Sequence, residues 1–177
     1  FNHPDESLET AQRNKYRTII QKARLRAEDH VLEIGCGWGG FAIEAVRRSG
    51  CRVTAITISR DQYQLARKRV RDAGLHDRIR ILFRDYRKMR GRFDKIVSIE
   101  MLEAVGLTYF GAFFKQLDRL LAPEGLAVLQ VITIPDQRYE VYRRSHDWIQ
   151  KHIFPGGLLP SLTVLARNMT RHSRLMI

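Results

Sequence analysis

Val31-Leu32-Glu33-Ile34-Gly35-Cys36-Gly37-Trp38-Gly39-Gly40 is the stretch on which the reading of this chain turns. It begins as an apolar, partly β-branched run, the pattern of a buried strand. It then breaks into four glycines within six residues, and Phe41-Ala42-Ile43-Glu44-Ala45-Val46 follows with apolar positions that line one helical face. Strand, glycine turn, helix is the context in which a Gly-x-Gly pattern predicts a ligand lying against main-chain N–H groups. A dinucleotide site places an acid about 20 residues further on, at the end of the second strand, for the ribose. Here that strand, Arg52 to Ser59, ends with Thr57 and Ser59 and carries no acid. The acid sits inside the first strand instead, at Glu33, two residues before Gly35.

Outward from the turn, the chain alternates. Residues 1–29 hold one helix, with Ser7 as its N-cap and Leu8 to Arg26 following, and Tyr16 reads as a packing residue ahead of a cofactor contact. After the second strand a helix is expected over about 60–73, capped by Ser59, with Gln62 placed as a capping-box partner that also faces the crevice. Gly74 closes it, Arg78 to Phe83 alternates like a third strand, and Asp85-Tyr86-Arg87 sits just past its end. Phe93 to Ile99 is the fourth strand and delivers Glu100 and Glu103 at its carboxyl end, where open α/β sheets bind their ligands. A helix over about 107–121, a turn at Pro123-Glu124-Gly125 and a long apolar strand from Leu126 to Ile134, interrupted by Gln130, complete the series.

Five strands alternating with helices predict an α/β fold: a doubly wound, mostly parallel, Rossmann-like sheet with helices on both faces, in a single domain over 1–177. After the fifth strand the rhythm changes. Arg138, Tyr139, Tyr142, Arg143, Arg144, Trp148 and Lys151 fall in a helical register, and Phe154-Pro155-Gly156-Gly157 begins a rigid loop. The segment 135–161 is therefore expected to be a lid-like insertion or a surface that meets lipid headgroups. Arg171 to Ile177 reads as the start of a further strand.

Composition narrows the partners. The chain has 177 residues, 44% of them hydrophobic, which suits a folded domain rather than a disordered tail. No apolar run approaches the roughly 20 residues of a membrane span. Cys36 and Cys51 make no disulfide framework and read as small buried residues, and no metal ligand set is assigned. A net charge of +12 and a pI near 10.3 favour an anionic partner, either nucleic acid or the headgroups of a membrane surface.

The acid-x-Gly-x-Gly-x-Gly order at Glu33 to Gly39 resembles motif I of the class I S-adenosylmethionine (SAM) methyltransferases. More specifically, five segments resemble the cyclopropane-fatty-acyl-phospholipid synthase family in order and spacing. They are Glu33 to Gly40, Thr57-Ile58-Ser59-x-x-Gln62, Asp85-Tyr86-Arg87, Phe93 to Gly106, and Trp148 to Ser161 (WIQKHIFPGGLLPS). The resemblance implies SAM-dependent methyl transfer to the cis double bond of an unsaturated phospholipid acyl chain, giving a cyclopropane or methylated chain. An alkene is a poor nucleophile, so such an enzyme must hold it in line with the sulfonium carbon in a dry apolar tunnel. The carbocation that follows loses a proton to close the ring, and the family implies bicarbonate as the acceptor.

Carried over by the resemblance, Glu33, Gly35, Gly37 and Gly39 would serve the methionine end of SAM. Ile58 and Gln62 would meet the ribose and adenosine side, Tyr86 would lie near the adenine, and Ile99 would bound the pocket. Glu103 and the backbone of Ile132 would hold the bicarbonate. Gln130 stands where many members have a histidine, and Ala104 stands in place of another; glutamine can donate to an anion but does not titrate near neutral pH. Members also carry an upstream cysteine and a downstream tyrosine outside residues 1–177, so the sequence reads as lacking N-terminal and C-terminal parts. The resemblance further implies a cytoplasmic protein, peripheral to the inner face of an anionic membrane, with a homodimer as an option. A small-molecule N- or O-methyltransferase of the same fold is the alternative. Nucleic acid is not expected, because no Asn-Pro-Pro-Tyr-type tetrad follows the fourth strand.

Overall fold

In the computed structural model, which describes residues 3, 5–144 and 157–177, the middle of the sheet is β1 (His30–Ile34). Val31, Leu32 and Ile34 are all but fully buried, as a strand covered on both faces requires. The sheet order is β3-β2-β1-β4-β5, formed with β2 (Arg52–Thr57), β3 (Ile79–Phe83), β4 (Phe93–Ile99) and β5 (Leu121–Gln130). β1 pairs in parallel with β2, Ile34 opposite Ile56, and β2 in parallel with β3. Two compact units divide the chain, Phe1–Val97 with Leu121–Val128, and Ser98–Leu120 with Leu129–Ile177.

In the first unit, α1 (Leu8–Ala23) starts where Ser7 Oγ accepts the Thr10 N–H at 3.2 Å. It ends three residues before the expected Arg26, because Arg24 turns left-handed (φ 50°) and its N–H caps the Gln21 carbonyl. α2 (Gly40–Ser49) buries Phe41, Ala42, Ala45 and Val46 on one stripe and stops at Gly50. α3 (Arg60–Asp72) buries Ala66 and Val70. Both α2 and α3 pack on β2 and β3.

Gly39 packs directly against the backbone of α3. It adopts φ +79°, and a Cβ there would stand 3.2 Å from Ala66 Cβ and 3.4 Å from Ala66 Cα. Ala66 belongs to a buried helix backbone and cannot swing aside. Gly39→Ala is expected to cost about 2–4 kcal/mol, the sum of left-handed strain and overpacking, read as a lowered denaturation midpoint.

The second unit opens with short 3₁₀ turns at Leu102–Ala104 and Leu107–Tyr109 and continues into α4 (Phe110–Leu120), which buries Phe110, Phe113, Leu117 and Leu120. α5 (Asp136–Tyr142) follows, and α6 (Leu162–His172) packs on α4, with Arg174 reaching Asp118 at 3.2 Å.

Three expectations are corrected. β5 begins at Leu121, not Leu126, and includes residues 123–125; the chain still bends there, since a Cβ on Gly125 would fall 2.7 Å from Leu121 Cγ. β5 stops at Gln130 instead of Ile134, because the next backbone donors are taken elsewhere: Ile132 N–H by Glu103 and Ile134 N–H by the Pro160 carbonyl. Arg171 to Ile177 does not begin a strand. Arg171 and His172 are the basic last turn of α6, which starts where Ser161 Oγ accepts the Val164 N–H, and 173–177 have no regular structure. Of the proposed lid, α5 is helical as expected, while Trp148, Lys151 and Phe154-Pro155-Gly156 lie outside the described residues. Among the described residues, no helix is long and apolar enough to cross a membrane.

Candidate active site

The glycine turn hangs from the end of β2: the N–H groups of Gly35 and Cys36 both donate to the Ile56 carbonyl, at 3.0 and 2.9 Å. Gly35, Gly37 and Gly39 all have positive φ, which ordinary side chains resist. Arg69 donates to the Trp38 carbonyl at 3.0 Å, so the backbone of the turn is tied to α3 while the indole stays about half exposed. α2 then begins with no side-chain cap, leaving its first N–H groups to whatever occupies the turn. A Cβ on Gly37 would meet nothing within 4 Å, so the middle of the turn faces open ground.

Glu33 lies beneath this turn, 2% exposed, with Oε2 buried and lacking a hydrogen-bond partner among the described residues. Burial pushes its carboxyl well above the ordinary range. The folded state therefore holds the proton more tightly than the unfolded chain does. The stability this gives is complete below the unfolded value of about 4.3 and is lost as pH rises through the raised folded value. Glu33→Gln keeps the shape of the neutral acid. It is expected to flatten that pH dependence and to raise the neutral-pH denaturation midpoint, as equilibrium unfolding at several pH values would show. Cys36, buried beside it, has its thiol pushed up to about 12, first by burial and then by the Glu33 charge, so it offers no thiolate nucleophile. Both cysteines are buried and free, as expected.

The other residues placed at the cofactor end belong to the same unit. Ser59 caps α3 by accepting the Gln62 N–H at 3.3 Å, as expected. The reciprocal half of the capping box is not formed. Gln62 Oε1 instead accepts from Thr57 Oγ1 at 2.7 Å, and Thr57 Oγ1 accepts the Ser59 N–H at 3.1 Å. Thr57 thus closes the turn that presents Ile58, whose side chain is 73% exposed. Asp85 caps the 3₁₀ turn Tyr86–Lys88 and holds Arg87 through Nε and Nη2, which keeps the Asp85 carboxyl below its usual range. That clamp fixes Tyr86, itself half-buried.

In the second unit the two carboxylates behave differently. Glu100 is exposed and left-handed (φ 51°); its N–H donates to the Gln130 carbonyl at 2.9 Å and its Oε1 accepts from Gln130 Nε2 at 2.6 Å. Glu103 is buried. Its Oε1 accepts the Ile132 N–H at 2.5 Å, its carbonyl accepts the Leu158 N–H at 2.9 Å, and its Oε2 has no partner among the described residues. Glu103 and Ile132 are brought together, and so are Glu100 and Gln130. Ile99, at the end of β4, is half-buried. Two positioning residues were missed. Thr57 had a signal, a hydroxyl at a strand end; Leu158 acts through its backbone and had none.

A parallel sheet in this order, with a glycine turn after its central strand, is the fold of the class I SAM-dependent methyltransferases. The family model described as mycolic acid cyclopropane synthetase matches residues 1–176, and the chain belongs to that family. It is 42% identical over 170 residues to the tuberculostearic acid methyltransferase UfaA1 of Mycobacterium tuberculosis, covering 96% of this chain and 40% of that protein. It is 38% identical over 167 residues to the cyclopropane-fatty-acyl-phospholipid synthase of Escherichia coli K12, covering 94% of this chain and 42% of that protein. The solved mycolic acid cyclopropane synthase CmaA1, complexed with SAH and CTAB, superposes with a TM-score of 0.87 at 29% identity, over 97% of this chain and 64% of that one. The chain thus spans about two fifths of the length of these curated relatives.

Proposed function

We propose that this chain carries out SAM-dependent methyl transfer to the cis double bond of an unsaturated phospholipid acyl chain, at the inner, anionic face of a membrane. The observation that carries this reading is the family match over residues 1–176 in a chain whose glycine turn is left-handed at three glycines and roofs a buried carboxylate oxygen that has no partner among the described residues. These residues fit SAM: backbone N–H groups and open ground at Gly37 for the amino-acid end, Glu33 beneath, and the Thr57-fixed turn of Ile58 and Gln62 with Tyr86 for the nucleoside. The bound cofactor supplies a methyl group on a sulfonium centre. The chain's own work is to exclude water and to present Glu103. Its Oε1 is pinned by the Ile132 amide, so Oε2 is the atom left to accept a hydrogen bond from bicarbonate or another donor.

Methylation without ring closure is the second reading. Gln130, which cannot titrate near neutral pH, gives its amide to Glu100. The name of the UfaA1 relative, a tuberculostearic acid methyltransferase, points the same way. The test is incubation with methyl-labelled SAM and vesicles of unsaturated phospholipid, followed by mass spectrometry of the released fatty acids. Label in the acyl chains supports the proposal, and the product structure separates cyclopropane from methyl or methylene. Label found only on added amines or hydroxyl compounds would favour the small-molecule alternative and overturn it.

A further inference from the structure

The basic charge of this chain is concentrated. Residues 60–92 hold twelve Lys and Arg against four Asp, a surplus of eight within a net charge of +12. That segment forms α3 and β3, and β3 is an edge of the sheet. Between them runs a groove of about 590 Å³. Its floor is apolar, from Val70, Ile79 and Ile81, and its walls carry Tyr63, Arg67, Arg71, His76 and Arg80.

Tyr63, Arg67 and Arg71 are spaced four apart on α3, so they share one helical face. Arg67 is held in place, donating to Tyr63 Oη at 3.1 Å and lying 5.3 Å over that ring. Arg71 and Arg80 are exposed and have no carboxylate partner among the described residues. Of the acids close by, Asp72 pairs with Lys68 at 2.7 Å, and Asp77 is exposed with His76 3.7 Å away. The groove therefore presents free guanidinium groups over an apolar floor.

We propose that this groove seats the phosphate groups of anionic lipid headgroups and so holds the chain on the bilayer that supplies its acyl substrate, a role that rests on the lipid reading above. Guanidinium groups match phosphate oxygens in bidentate geometry. Single-stranded nucleic acid is the poorer fit, because it needs open aromatic faces for stacking. The two local ones are covered, Tyr63 by Arg67 and Phe83 by Arg60 at 5.9 Å.

The test is co-sedimentation of the chain with phosphatidylglycerol-rich vesicles, against phosphatidylcholine vesicles and single-stranded RNA. Arg71→Glu with Arg80→Glu is compared with Arg47→Glu and Lys115→Glu, exposed positions on α2 and α4 that change the net charge equally. The groove variant is expected to lose about thirtyfold in affinity for the anionic vesicles, and the control variant far less. Binding of S-adenosylhomocysteine (SAH) should be equal in all three, which reports folding. Equal losses in both variants would overturn the proposal, as would absent vesicle binding by the parent chain or tighter groove-dependent binding to RNA. Methyl transfer to detergent-dispersed lipid separates the two readings. Transfer without groove-dependent vesicle binding refutes the groove alone, and groove-dependent binding without any transfer refutes the acyl reaction alone.

Discussion

Glu103→Gln is expected to lower the rate of product formation by about a hundredfold to ten-thousandfold, the range for losing a proton acceptor that Glu103 would hold in place, with cofactor affinity unchanged. The magnitude follows from how the carboxylate is held. Ile132 N–H fixes Oε1 and Leu158 N–H fixes the main chain, so Oε2 is aimed without freedom to turn away. A glutamine keeps the Oε1 contact by directing its carbonyl oxygen to Ile132. Its amide then places a donor where an acceptor stood. Single-turnover rates with saturating cofactor read the chemical step, and calorimetry with SAH reads the binding. A variant that turns over at the parent rate would remove Glu103 from the chemistry.

Gly37→Ala is the second large effect, and it separates binding from folding. A Cβ at Gly37 touches nothing, so the chain bears only the left-handed strain at φ +48°, about 1–2 kcal/mol. The methyl group occupies the open ground that the proposed cofactor needs. Affinity for SAH is expected to fall at least tenfold, or about 1.4 kcal/mol, while the chain stays folded. Gly39→Ala behaves oppositely, since its Cβ meets Ala66 and the cost falls on stability. Calorimetry and denaturation on the two variants should give that crossed pattern. Equal affinities for parent and Gly37→Ala would place the ligand elsewhere.

The elements that local chemistry dictates were legible in the sequence. β4 falls on Phe93–Ile99 as expected, Ser7 and Ser59 cap their helices, and the glycine turn opens α2, because each depends on neighbours a few residues apart. What failed depends on partners far along the chain. The truncation of β5 at Gln130 is set by Glu103 and Pro160, which take the next amides. The amide–carboxylate pair of Gln130 and Glu100 spans thirty positions, and no local pattern encodes it. Gln62 had a local rule, the capping box, but the Thr57 hydroxyl offered its amide oxygen a shorter path. α6 is not among the expected helices, although Ser161 at its start and Arg171 and His172 at its end are helix signals.

A crystal of the chain grown with SAH tests the central claim most directly. The account predicts the amino-acid end of that ligand against the backbone of Gly35 to Gly39, above Glu33, with Ile58, Gln62 and Tyr86 around the nucleoside. A well-ordered chain whose glycine turn stays empty, or is covered by the indole of Trp38, would contradict it.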